Sequence, residues 1–246
     1  LDHAPNSTLW KRQPVLAELQ KLKTIGGAQI NVPKILVDYL PETLDYMVVR
    51  NATCNTKNSN ISVLAKRNNK AYTEIIKRTD NKIWYKPSEG QLLGANKLST
   101  YKVFNTFDKR KHDDLITKCI TQPIESDVST WCDKNSWASL FSYTDRPDGV
   151  TQHAHLYDTD KAGTINLFPK IGIGYNSKVP GRHAGESFHE KDAFVGFWGG
   201  AANPHTYGVE NAVNGQVAPT LFYYLTGKID PGFGFEPFTD IFNRNK

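Results

Sequence analysis

Apolar side chains at Val15, Leu16, Leu19 and Leu22 recur at helical spacing in PVLAELQKLK and stop short of Gly26-Gly27. This spacing predicts one amphipathic helix with a glycine stop. The next stretch, PKILVDYLPETLDYMVVRN (33–51), has a short apolar piece, Pro41 and then YMVV. It reads as a helix or turn feeding a β-strand that ends before Asn51. Between 60 and 94 the runs ISVLAKR, AYTEIIKR and KIWYKP are β-branched or aromatic and are broken by NN, TDN and PSEG. Such runs predict a small antiparallel meander, an inserted subdomain or cap.

Helical texture returns over 108–143, where DDLITKCI carries acidic residues in its expected first turn and WASLFSY follows. HAH at 153–155 reads as two rings, His153 and His155, on one strand face. TINLFP (164–169) and FVGFWGG (194–200) are continuous apolar runs of the kind buried in a mostly parallel sheet. APTLFYYLTG (218–227) predicts a closing helix, with Pro219 in its first turn and Gly227 as its stop. The expected fold class is therefore α/β: a mostly parallel central sheet flanked by helices, with a small antiparallel β-meander insertion. The expected division is a helix-strand portion of the α/β core over 1–59, the inserted meander or cap over 60–107, and the C-terminal core portion over 108–246.

Composition narrows the function classes. Of 246 residues, 39% are hydrophobic and 22% charged, ordinary globular usage that argues against disorder. Thirty basic against twenty-five acidic side chains leave +5. The basic residues are scattered apart from KRNNK at 66–70 and the sign-alternating DKRKHDD at 108–114. That pattern suits a solvated face rather than a nucleic-acid groove, and is compatible with an anionic small substrate. No run approaches the roughly 20 apolar residues of a membrane span. Leu1 is not followed by a charged and then apolar leader. Sequons at Asn6, Asn51 and Asn60 point to a secreted or periplasmic glycoprotein. Cys54, Cys119 and Cys132 make an odd count without CxxC spacing, so a Cys119–Cys132 bridge and three unlinked thiols both stand as readings.

Candidate chemistry concentrates in VPGRHAGESFHEKDAFVGFWGG (179–200). His183 sits between Gly181-Arg182 and Ala184-Gly185 ahead of the apolar run, where a loop can present a metal ligand. Imidazole nitrogen suits zinc, and the flanking glycines would let the backbone come close to a metal or phosphate. Its second ring nitrogen needs a partner, for which Glu186 and Glu190 are local candidates. The competing reading is a polar loop whose histidines, His189 among them, decorate the surface.

Four blocks raise the metal reading: AGTINLFPKIGIGY (162–175), GRHAGES (181–187), DAFVGFWG (192–199) and QVAPTLFYYLTG (216–227). In this order the chain resembles the C-terminal part of the alkaline phosphatase superfamily, in its type I phosphodiesterase and nucleotide pyrophosphatase branch. IIKRTDNKIWYKPSEGQLLG also resembles the meander that bacterial phosphodiesterase members insert ahead of this region. The resemblance implies that His183 is the last metal ligand and that Asp2-His3 matches the family's Asp-His pair. Here that pair is followed by Ala4 where the family has Gly. It further implies a divalent metal, zinc, a phosphate-ester small-molecule substrate, and Arg182 as a contact to a phosphate oxygen. Nothing in the chain aligns with the family's nucleophile-bearing half. The expectation is a C-terminal portion of a phosphatase-like hydrolase whose N-terminal segment lies elsewhere. The competing expectation is a non-catalytic secreted α/β binding protein that has lost the metal site.

Overall fold

The computed structural model describes residues 13–98, 106–142, 144–159, 161–175, 185–191, 195–199, 202, 212–233 and 235–242. The chain forms two compact units, residues 1–191 and 192–246.

In the first unit the predicted N-terminal helix is cut to one turn. After α1 (Leu16–Leu19), Leu22 pairs with Ile30 in a two-stranded ladder of β1 (Leu22–Lys23) and β2 (Gln29–Ile30). Gly27, at φ 84°, makes the turn between them. α2 (Val32–Tyr39) begins at Asn31, whose side chain accepts from the Lys34 amide, and has Pro33 in its first turn. β3 (Leu44–Arg50) then leads to β4 (Asn58–Arg67), β5 (Lys70–Thr79) and β6 (Lys82–Lys86). Two-residue loops join β4 to β5 and β5 to β6, with Asn68, Asn69 and Asp80 at positive φ as tight hairpins require. α3 (Thr106–Ile116) runs into a π-helical turn (Thr117–Thr121), closed by the bond from the Gln122 amide to the Thr117 carbonyl. β7 (Cys132–Asp133), α4 (Lys134–Phe141), α5 (Gly149–His155), β8 (Ile165–Pro169) and α6 (Phe188–Lys191) complete the unit.

The main sheet has the order β7-β6-β5-β4-β3-β8, and every ladder in it is antiparallel. The expected mostly parallel central sheet is thereby overturned. The physical reason is connection length: a parallel pair needs a crossover of about a dozen residues or more, and the two-residue hairpins dictate reversal. TINLFP forms β8, which lies antiparallel to β3 at one end of the sheet and is half-buried.

Helices on both faces explain why β3 reads as a continuous apolar run. Tyr46 and Val48 point into a core with Ile61, Val63, Ile76, Trp137 and Phe141, under α4 and α5. Met47 and Val49 point the other way, against Leu19 and Val37 of α1 and α2. All seven β3 residues are buried, as a strand covered on both sides must be. Cys119 and Cys132 are joined by a disulfide that ties the π turn to β7. Trp84, Trp131 and Trp137 are buried and serve packing.

In the second unit α7 (Val217–Thr226) ends at Gly227, whose φ of 70° gives the left-handed stop expected of it. Residues 195–199 contain no strand, and Trp198 is fully exposed, so the described part of FVGFWGG is not a buried strand. Among the described residues no helix is long and apolar enough to cross a membrane.

Candidate functional site

The residues singled out for metal and phosphate, Asp2, His3, Arg182 and His183, lie outside the described residues. Among the described residues no three His, Cys, Asp or Glu side chains are grouped to hold a metal ion, so they do not by themselves fit the expected zinc. What the structure does assemble is a charged cluster where the α4–α5 turn meets the segment directly after His183.

Its base is a pair of buried contacts. Asp45 on β3 receives Arg67 of β4, through Nη1 to its carbonyl at 2.7 Å and Nη2 to its carboxylate at 2.5 Å. Its other carboxylate oxygen receives Arg146. Below lies His153 on α5, with Nε2 2.9 Å from the Tyr46 hydroxyl and its ring 4.9 Å from that of Phe168. Complete burial pushes the His153 imidazole down to about 3, with the Lys191 and Arg146 charges acting in the same sense. The expected strand placement of His153 and His155 is thus replaced by a helix. His153 is a core residue, while Nδ1 of His155 meets Asp158 at 2.8 Å.

The turn itself is TDRPDG, residues 144–149. Thr144 Oγ1 donates to the Phe141 carbonyl and accepts from the Arg146 amide. Asp148 has φ 53°, in the left-handed region that Asp tolerates better than most residues. Its carboxyl is pushed up to about 6, chiefly by burial, with the nearby Glu186 charge adding to the rise and Thr151, Lys191 and Gln152 opposing it. Oδ1 of Asp148 and Nε of Arg146 are buried without a hydrogen-bond partner.

The segment 185–191 closes over this turn. The Phe188 amide donates to the Asp145 carbonyl at 3.1 Å, and Lys191 Nζ donates to the Pro147 carbonyl at 2.9 Å. Lys191 also forms an ion pair with Glu186, while Ser187 Oγ donates to Glu190 at 2.7 Å. Glu186 and Glu190, the local candidates for orienting His183, are therefore engaged within their own segment. Burial raises the Glu186 carboxyl above the usual range, against the pull of Lys191. A carboxyl held near 6 by burial, with Lys191 opposing the rise, exchanges its proton in mild acid.

Asp45, Arg146, Asp148 and Lys191 were not expected from the sequence. The signal for the turn was present in DRPDG, a Pro-Asp-Gly run between apolar segments. Its closeness to 185–191 depends on the fold. The sequons give a second placement: Nδ2 of Asn51 donates to Oδ1 of Asn60 at 2.9 Å, so these two asparagines bond each other. On α3 a surface depression of about 420 Å³ is lined by Arg110, Lys111, Asp114, Leu115 and Lys118. Its charged residues are exposed, in keeping with a solvated face.

Compared with protein-family models, with curated proteins and with solved structures, the chain matches none.

Proposed function

We propose that the chain supplies the C-terminal portion of a metal-dependent phosphoric ester hydrolase of the type I phosphodiesterase and nucleotide pyrophosphatase kind. The observation that carries this reading is the order of the blocks AGTINLFPKIGIGY, GRHAGES, DAFVGFWG and QVAPTLFYYLTG along the chain. The antiparallel sheet adds nothing to it. In this reading His183, with Asp2 and His3, binds a divalent metal, zinc, and Arg182 contacts a phosphate oxygen of a small ester. The nucleophile comes from a segment or chain that these residues do not include. The Cys119–Cys132 bridge agrees with a secreted or periplasmic protein, since disulfides persist where the surroundings are oxidising.

The test is elemental analysis of the full gene product together with hydrolysis of bis(nitrophenyl) phosphate and nitrophenyl phosphate. Bound zinc that is lost in His183→Ala, with loss of hydrolysis, is the expected result. A native protein with no bound metal and no hydrolysis overturns the reading.

One observation favours a second reading, a non-catalytic binding protein. Val217, Leu221, Tyr224 and Leu225 lie at positions i, i+4, i+7 and i+8 of α7, and all four are exposed. A contiguous apolar face of this kind marks an interaction surface. It predicts the metal-free, inactive outcome of the same experiment.

A further inference from the structure

Arg50, the last residue of β3, is only 6% exposed, yet among the described residues no carboxylate pairs with it. The other arginines drawn into the fold are balanced. Arg67 and Arg146 share Asp45, and Arg78 holds Asp158 while donating to the carbonyls of Asn55, Thr56, Asp80 and Ala154.

The partners of Arg50 are neutral. Its Nη2 donates to Oε1 of Gln13, whose Nε2 donates in turn to the Ala162 carbonyl at 2.6 Å. The guanidinium lies over the Tyr157 ring, 4.4 Å from its centroid. Burial pushes the Tyr157 hydroxyl up to about 12, so this side chain offers a π face and no negative charge. Nε of Arg50 is buried without a hydrogen-bond partner. A guanidinium stays protonated at any ordinary pH, and an unbalanced charge is costly to bury. The ring face and one carboxamide offset part of that cost, and neither satisfies Nε.

We propose that Arg50 is an oxyanion site: a small carboxylate or phosphate binds the guanidinium edge formed by Nε and Nη2, filling Nε and replacing Oε1 of Gln13 at Nη2.

The donor set selects this ligand class. Nε and Nη2 of a planar guanidinium are parallel donors that match two oxygens of one carboxylate or phosphate. The exchange puts a charged acceptor where a neutral one stands and supplies the partner that Nε lacks. A cation is disfavoured by the same unbalanced charge. Tyr157 steadies the guanidinium from one face, and its own hydroxyl is fixed by donating to the Val48 carbonyl at 2.8 Å. Gln13, the end of β3 and the 157–162 stretch, distant in sequence, therefore meet at Arg50. None of the residues of the hydrolase reading takes part, so the two proposals stand or fall separately.

The test follows the arginine Nε–Hε resonances of the full chain by proton–nitrogen correlation NMR in slightly acidic buffer. Sodium phosphate and sodium acetate are titrated separately, with sodium chloride at matched ionic strength as the control. The Arg50 signal, assigned through its own backbone in the parent protein, is expected to move saturably with phosphate or acetate and to stay in place with chloride. Tighter binding of phosphate assigns the site to phosphate and tighter binding of acetate to carboxylates, and either order supports it. Arg50→Lys keeps the positive charge but lacks Nε and the planar fork. By titration calorimetry it should bind the preferred oxyanion at least about tenfold more weakly, the loss expected of a charge-assisted hydrogen bond. Far-UV circular dichroism shows that the variant keeps its sheet, and the parent titration decides the question if it does not. An Arg50 signal unmoved by both oxyanions, one moved equally by chloride, or a folded Arg50→Lys that binds as tightly as the parent overturns the proposal.

Discussion

The Tyr46 hydroxyl lies 2.9 Å from Nε2 of His153, joining β3 to α5 across 107 residues of chain inside the core. Both side chains are buried, and Phe168 stacks on the Tyr46 ring at 4.8 Å. Tyr46→Phe keeps the ring contacts and removes only the hydroxyl, which leaves Nε2 buried without this partner. The expected loss of stability is about 1–3 kcal/mol, the cost of an unsatisfied buried polar group. Urea unfolding at about pH 7.5 measures it, and a loss below about 0.5 kcal/mol would show the bond to be unimportant.

Two neighbouring groups make opposite contributions to acid stability. His153 is held down at about 3 against an ordinary 6.5, so below pH 6.5 the unfolded chain takes up a proton that the folded chain refuses. Stability from this source falls as pH drops from 6.5 toward 3. Asp148 is raised to about 6 against 3.8, so between those values the folded chain holds a proton that the unfolded chain releases. Its contribution is full below 3.8 and is lost as pH rises through 6. Between about pH 4 and 6 the two largely cancel. Asp148→Asn removes one of them. Relative to the parent, this variant should be nearly unchanged at about pH 4 and more stable at about pH 7.5 by up to about 3 kcal/mol, because a tenfold change in proton affinity is worth about 1.4 kcal/mol. Denaturant midpoints measured across about pH 4–8 test the sign: a variant less stable than the parent at the upper end would refute the assignment.

How much of this was legible depends on how local each signal was. The β4–β6 meander was readable because NN and TDN supply residues that accept positive φ, and they sit between runs of strand-forming side chains. α7 was readable from Pro219 and Gly227 for the same reason. TINLFP was misassigned because a continuous apolar run carries no information about strand direction, and at the end of the sheet β8 is only half-buried. β8 gains its partner β3 from more than a hundred residues away. HAH spans three residues, too few to separate a period of 2 from one of 3.6, and the helix won. Leu22 fits the helical spacing of Leu16 and Leu19 but is claimed by its ladder with Ile30. The charged cluster was invisible because Asp45, Asp148 and Lys191 are brought together only by the long-range pairing of the chain.

The Cys119–Cys132 bridge closes a separation of 13 residues between the π turn and β7, and both sulfurs are fully buried. Cross-linking a loop of that size restricts the unfolded chain by about 3 kcal/mol. The paired variant Cys119→Ala/Cys132→Ala should lose about that much in urea, less whatever packing the alanines recover. Full reduction of the parent should give a similar midpoint. A reduced parent as stable as the oxidised one would mean that packing around Trp137 and Ile83 holds β7 in place without the bridge.

Glu74 on β5 is fully buried, yet it is surrounded by donors rather than by a cation. Its carboxylate accepts the Tyr85 hydroxyl at 2.6 Å, the Ser88 hydroxyl at 3.1 Å, and the amides of Ser88, Leu92 and Leu93 at 3.2, 2.7 and 3.2 Å. Three of these come from the main chain of the loop after β6, so one side chain satisfies backbone groups that would otherwise be buried unpaired. The same contact, with burial as the larger cause, pushes the Tyr85 hydroxyl well above its ordinary value. Glu74→Gln is nearly isosteric but turns one acceptor oxygen into an amine among donors. The expected cost is about 3 kcal/mol, near that of breaking a buried charged hydrogen-bond group. Glu74→Ala should cost more and should also raise amide exchange at Leu92 and Leu93, because their acceptor is gone. If Glu74→Gln is neutral in urea and those two amides stay protected, the carboxylate is not what fastens this loop to the sheet.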